Sequence, residues 1–491
     1  RFPVELRGDD VYVDVAPRGD RVAHHRERLG DGLERNIPLV LAKATIALTE
    51  SDPTGVDAFA AGLAFGVERR RDGWGRGLTT LTCLMNLASR IDVANVPVAL
   101  YLGFADVAAE ADGEPPRFLL DPLPSAGTDV SALGRWFRRF VEVRDAEGAE
   151  RALVSAVRAG AKPTELADML FAATTDHRYL DSGHALDFVN KALEALDVAG
   201  WTHAEAVLAS LPMQIAMAQR MEESNAWRNP VDLVHLLDSA FARIPDVLAQ
   251  GSARRGGWSR RAELVETVLD EDPAASIDGL LAALGDGATE VQIASAVSYA
   301  AVSRIARFPT TNEFGDWDTA LHTFTFANAV EQGLRRSPSK ELLRGVFDAA
   351  MSVYLDRFLN VPATRLPLPT RIADPNTLLD DLSLVFDRQQ EVDEAGTLVA
   401  SFIARGGDPD RLVSALGAAL AREDRNFHTI QCVEASVRQF ELLRETEADG
   451  LPLIAAARYL AAHAPTTRSQ RQTFDIARRL HRGERLYEEV T

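Results

Sequence analysis

Three histidines in this chain share a setting that could hold a metal ion or move a proton. His184 lies in Asp181-Ser-Gly-His184-Ala-Leu-Asp187, His322 in Asp318-Thr-Ala-Leu-His322-Thr-Phe, and His428 in Asp424-Arg-Asn-Phe-His428-Thr-Ile-Gln431. Each follows an aspartate by three or four residues, which puts carboxylate and imidazole on one helix face. A carboxylate that accepts from one ring nitrogen fixes the tautomer and frees the other nitrogen for a metal or a proton. The expected site is therefore His184, His322 and His428 as metal ligands or catalytic groups. Asp181, Asp318 and Asp424 orient them and are themselves candidate ligands. His177, one loop before His184 in Thr174-Thr-Asp176-His177-Arg-Tyr179, is a further candidate catalytic imidazole, and Asp187 and Glu434 are spare oxygen donors. The competing reading makes the aspartates ordinary helix N-caps and the histidines their satisfied neighbours. Paired Glu-x-x-His motifs of di-iron bundles are absent.

The elements that must position these residues read almost entirely as helix. Leu133 to Gly160, Trp258 to Gly287 and Leu378 to Gly407 can be laid over one another. Each is two amphipathic helical segments ending on glycine, the residue that best tolerates a left-handed helix stop. Each restarts on a first-turn signal: Lys162-Pro-Thr-Glu165, Ala288-Thr-Glu290 and Asp408-Pro-Asp410. All three candidate histidines open the helix that follows. A second correspondence sets Gly103 to Asp106 and the later Arg117 to Pro124 against Gly345 to Asp348 and Arg365 to Pro369. The expectation is an all-α body of four divergent units of about 120 residues, over 17–129, 130–258, 259–374 and 375–491, sharing one core in a compact or ring-like form. Residues 1–16 precede it as a β-hairpin. The first half of the first unit, around Arg70-Arg-Asp-Gly-Trp74-Gly-Arg-Gly77, departs from the pattern. Two segments could serve a site: the 307–318 insertion as a lid or binding loop, or else a surface turn with an anchored Trp, and the basic cluster 69–76 as a dock for an acidic partner or a carboxylate substrate, or else a solvated turn paired to nearby acids.

Composition narrows the function. The 491 residues are 46% hydrophobic and can bury a large core. A net charge of −19 argues against nucleic acid as a partner. Only four of the 53 basic residues are lysines, Lys43, Lys162, Lys191 and Lys340, a balance that resembles proteins of salt-loving archaea or reflects a GC-rich genome. Cys83 and Cys432 lie far apart, which fits a reducing, cytoplasmic setting rather than a disulfide framework. No run of about 18 apolar residues predicts a membrane span. Walker A, dinucleotide, nucleophile-elbow and His-Glu-x-x-His signatures are missing.

The first residues, Phe2-Pro-Val-Glu-Leu6-Arg-Gly8-Asp-Asp10-Val-Tyr-Val-Asp-Val15, alternate in period two about a turn. They resemble the closing hairpin of Rieske-type [2Fe-2S] ferredoxin domains. That family binds its cluster through a Cys-x-His and a Cys-x-x-His box, neither of which occurs here, so the resemblance implies a cluster in a domain upstream of residue 1. Gly73-Trp-Gly-Arg-Gly77-Leu-Thr, Thr175-Asp-His-Arg-Tyr-Leu-Asp-Ser-Gly-His184 and Phe314-Gly-Asp-Trp-Asp-Thr319 are similar to an uncharacterised helical domain that follows Rieske domains in bacteria and archaea. The resemblance implies two functions. In one, the helical body is an oxidoreductase whose histidine site, with a metal of open identity, exchanges electrons with the upstream [2Fe-2S] module. In the other, it is a non-catalytic scaffold that docks that module onto a redox partner protein. Self-association is left open.

Overall fold

A computed structural model describes residues 4–8, 10–13, 20–70, 72–124, 127, 129–444 and 450–484. The described residues are all-α apart from one hairpin, in which Val4–Arg7 pairs antiparallel with Asp10–Val13, Glu5 opposite Tyr12. The three helix pairs expected from the repeat are present: Val130–Glu142 with Ala146–Arg158, Arg261–Leu269 with Pro273–Gly285, and Pro375–Val385 with Val392–Ala404. Each pair is followed by a glycine at positive φ, Gly160 (80°), Gly287 (99°) and Gly406 (69°), where an L side chain would be strained. The helices restart on local caps. Thr289 accepts from the Gln292 amide while Gln292 accepts from the Thr289 amide, and Asp408 accepts from the Asp410 amide.

Four helices form the centre: Arg76–Ala88, Leu-rich and apolar on most of its surface, His184–Ala199, Phe314–Arg336 and Phe427–Leu443. Each packs on the next and the last packs back on the first, which closes a ring. Contacts fall in the same order down three neighbouring pairs, His184–His322 before Asp197–Arg336 in one and Asn86–Glu434 before Arg90–Glu441 in another. His322 meets His428 at one end, and Gln439 meets Asn328 and Glu331 further down; the four helices therefore run parallel. Outer helices cover the ring, among them Val96–Ala111, Glu290–Ala306, Lys340–Leu355 and Leu451–Ala462. One continuous apolar core runs through every unit boundary expected from the repeat. The C-terminal helix Ser469–His481 lies on Pro38–Ser51, joining the ends of the chain, with His481 2.9 Å from Glu50. Residues 93–111 are long and apolar enough to cross a membrane by length and composition, and 61% of that window is buried inside the body.

Candidate metal centre

His184, His322 and His428 converge at one end of the central ring, where one nitrogen from each lies within 4.8 Å of the others. They come from three helices separated by more than a hundred residues of chain. His322 Nε2 and His428 Nε2 are 3.0 Å apart. The His184 ring sits 4.5 Å, centroid to centroid, from His322 and lies nearly parallel to His428 at 5.9 Å. Bonds of about 2.1 Å to a tetrahedral ion put nitrogens about 3.4 Å apart, so small rotamer changes bring all three onto one ion.

Local chain geometry holds His184 there. Tyr179, Asp181 and Ser182 all have φ near +50°, and Gly183 has φ +93°. A Cβ on Gly183 would come 2.8 Å from Phe326 and from Tyr179, so only glycine fits. Three non-glycine residues in left-handed conformation are costly, and such strain collects where surrounding structure over-determines a functional position. The Tyr179 ring meets Phe326 edge-on at 5.0 Å, and Arg178 donates to the Thr175 and Asp176 carbonyls.

The aspartates divide. Asp318 accepts from His428 Nδ1 at 3.2 Å, so it serves the histidine of a neighbouring helix rather than His322 on its own. Its other oxygen accepts from the Tyr459 hydroxyl at 2.5 Å. Burial pushes the Asp318 carboxyl up, but the hydrogen bonds from His428 and Tyr459 outweigh it and hold the pKa below the ordinary value. With Nδ1–H committed to Asp318, a neutral His428 turns its Nε2 lone pair toward His322. Asp181 instead accepts from the Gln219 amide and ties down the strained loop. Asp424 accepts from the Ser469 and Gln470 amides and so caps the C-terminal helix. His177 stands between Glu222 (2.6 Å) and Glu142 (2.7 Å), away from the cluster. The geometry thus corrects the expectation that each histidine is oriented by its own preceding aspartate: Asp181, Asp424 and His177 are occupied elsewhere.

Burial drives the His184 pKa down to about 3 and that of His322 to about 4, with the neighbouring histidines adding to the effect. Both imidazoles are therefore neutral near pH 7, the state that binds metal. The His184 ring makes no hydrogen bond among the described residues, and the only bond His322 makes through its ring is to His428. Neutral, under-bonded nitrogens that converge suit zinc, iron, copper or nickel rather than magnesium or calcium. Three protein ligands leave coordination positions for a substrate or water.

Below the cluster, the central helices carry polar residues in register. Gln431 donates to Asp187, one turn down from His428 and His184. Further down, the fully buried Lys191 ammonium lies 2.6 Å from Glu434 and 2.9 Å from Glu194, and Asn86 donates to both carboxylates. Asp187 and Glu434 are thus engaged beneath the cluster rather than at it. Two cavities flank it. One, about 420 Å³, is lined by Phe314, Asp318, Arg425 and His463, so the 307–318 insertion contributes a wall. The other, about 290 Å³, is lined by Arg76, Asp106, Glu110, Arg425 and Phe427. The Phe427 ring packs 5.7 Å from His184 and 5.0 Å from His428. Tyr459 was not legible as a site residue, and Arg76 was legible only as part of the basic cluster 69–76, not as a neighbour of the histidines. Tyr459 reads as an ordinary core aromatic of its helix.

No protein-family model, no curated protein and no solved structure matches this chain.

Proposed function

We propose that the helical body is a metal-dependent oxidoreductase with one transition-metal ion held by His184, His322 and His428 and with Asp318 as the carboxylate behind His428. The observation that carries this reading is the convergence of three imidazoles from three distant segments onto one point, beside cavities of small-molecule size. When bound, such an ion supplies a Lewis-acid or one-electron centre with open positions. The chain's own residues hold the ligand tautomer through Asp318 and Tyr459 and keep the ligating nitrogens out of bulk water. The resemblance of the N-terminal hairpin to a Rieske-type domain gives the redox class: an upstream [2Fe-2S] module would exchange electrons with this centre.

One observation favours the scaffold reading. Apolar side chains stand exposed on two extended straps, Phe118 and Leu119 on one, Val361, Leu368 and Ile372 on the other, with Phe358 on the short helical turn just before the second. The two readings separate on metal content. Elemental analysis of the purified chain is expected to give about one transition-metal ion per molecule, lost in His184→Ala and His428→Ala while the fold persists by circular dichroism. A metal-free wild type that takes up no zinc, iron, copper or nickel on reconstitution would sink the metal centre and leave the scaffold.

A further inference from the structure

The fourth central helix brings no histidine to the cluster end of the ring. His184 is the first residue of its helix and His428 the second of its own; the fourth helix begins with Arg76. Register places Arg76 at the same end of the ring as His184. Asn86, ten residues beyond Arg76 (86 − 76), donates to Glu194, ten residues beyond His184 (194 − 184).

The segment before Arg76 is built to fix it. Trp74 is fully buried and its indole N–H donates to Thr79 Oγ1 at 2.8 Å. Gly73, at φ +79°, passes so close to the Ser210 carbonyl that no Cβ fits, and a Cβ on Gly77 would come 2.8 Å from the Asp106 carbonyl oxygen. Within the basic cluster, Arg69 and Arg70 are paired, with Glu34 at 3.2 Å and Glu110 at 3.4 Å. The Arg76 guanidinium has no hydrogen bond or ion pair among the described residues. It lines the 290 Å³ cavity whose wall, Phe427, is in ring contact with His184 and His428.

The acids in that cavity do not take its place. Glu110 accepts from the Arg76 and Gly77 amides at 3.1 and 2.8 Å, closing the start of the helix to any other anion, and pairs with Arg70. Asp106 is half-buried, and desolvation pushes its pKa up to about 6 against a weaker opposing pull from Thr80 and the Arg76 charge, but no hydrogen bond or contact of ion-pair length joins it to Arg76. A guanidinium fork matches a carboxylate in two-point geometry. One free guanidinium, a capped helix end and nearby acids favour a monoanion over a phosphate.

We propose that Arg76 anchors a small carboxylate-bearing substrate in this cavity, beside the three histidines. The substrate role rests on the metal-centre reading; the binding of the anion does not. The test is calorimetric titration of benzoate, and of benzamide as its uncharged counterpart, into the full chain with and without metal. Benzoate is expected to bind both forms, with benzamide about tenfold weaker or worse, the loss of a charge-assisted pair. Arg76→Gln, an exposed substitution that leaves the core intact, should weaken benzoate by a similar factor, and Arg76→Lys by less. Equal binding of the two probes, no benzoate binding, or benzoate binding indifferent to Arg76→Gln would each overturn the proposal. Benzoate binding intact in a chain that takes up no metal would remove the metal centre and leave the anion site standing.

Discussion

Asp318 links two helices at the histidine cluster, and the site depends on it more than on any other acid. A carboxylate that fixes a ligand's tautomer is worth about 10–100-fold in metal affinity. Asp318→Asn is therefore expected to weaken metal binding by that factor in a chelator competition, with the fold retained. Asp424→Ala should leave metal affinity unchanged and cost about 1 kcal/mol of stability in denaturant, because that carboxylate caps a helix. The two aspartates look alike in sequence, each four residues before a histidine, and only the neighbouring helix decides which of them reaches a ring. Sequence spacing thus singled out the three histidines but could not assign their partners. Titration separates a different acid. Asp356, buried beside Thr323 and Arg304, is pushed up to about 7 mainly by burial. In the unfolded chain an aspartate ionises near about 3.9. Between these values the folded state keeps a proton that the unfolded state has lost, so rising pH favours unfolding. Below the lower value both states hold the proton, and above the upper value neither does. Relative to Asp356→Asn, the wild type should lose stability by up to about 1.4 kcal/mol per pH unit between about pH 4 and 7, read from urea midpoints; parallel profiles would refute it.

The central helices show how an element can be apolar in pattern and still carry charge inside. On the His184 helix, residues 185 to 196 are all buried, Asp187, Lys191 and Glu194 included. Burial would lower the Lys191 pKa, but Glu194 and Glu434 more than compensate and hold it well above its ordinary value. Removing one partner from such a group leaves uncompensated charge in the core, which costs about 3–5 kcal/mol, whereas removing the whole set is far milder. Lys191→Met is expected to destabilise by that amount in thermal or chemical melts. Adding Glu194→Gln and Glu434→Gln should recover most of the loss; a triple variant as unstable as the single one would show that these charges do not act as a unit. Helix starts, glycine stops and the threefold recurrence of helix pairs were readable locally, because caps and left-handed stops are properties of a few adjacent residues. The buried ion network was not, because Lys191 and Glu434 meet only across the ring, 243 residues apart in sequence.

At the scale of the molecule, closure of the ring is what creates a site from segments that share no local signal. The first central helix packs on the last, and the C-terminal helix lies on one near the start of the chain. No single unit contains more than one of the three histidines, so a ring-like arrangement could be anticipated from the repeat while the convergence point could not. This architecture has a thermodynamic consequence. An ion held by His184, His322 and His428 binds only the closed ring, because unfolding scatters its ligands along the chain. Mass action then adds stability of about 2.7 kcal/mol when free metal exceeds its dissociation constant a hundredfold. The melting temperature of the metal-free chain is accordingly expected to rise with added zinc or another borderline ion, to fall back on chelation, and to be insensitive to the same ion in His184→Ala. Because the ligands come from three units, the shift should move the whole unfolding transition and not one part of it. A metal-induced change confined to a minor unfolding phase, or one that persists undiminished in His184→Ala, would place the binding at surface carboxylates of this −19 chain instead.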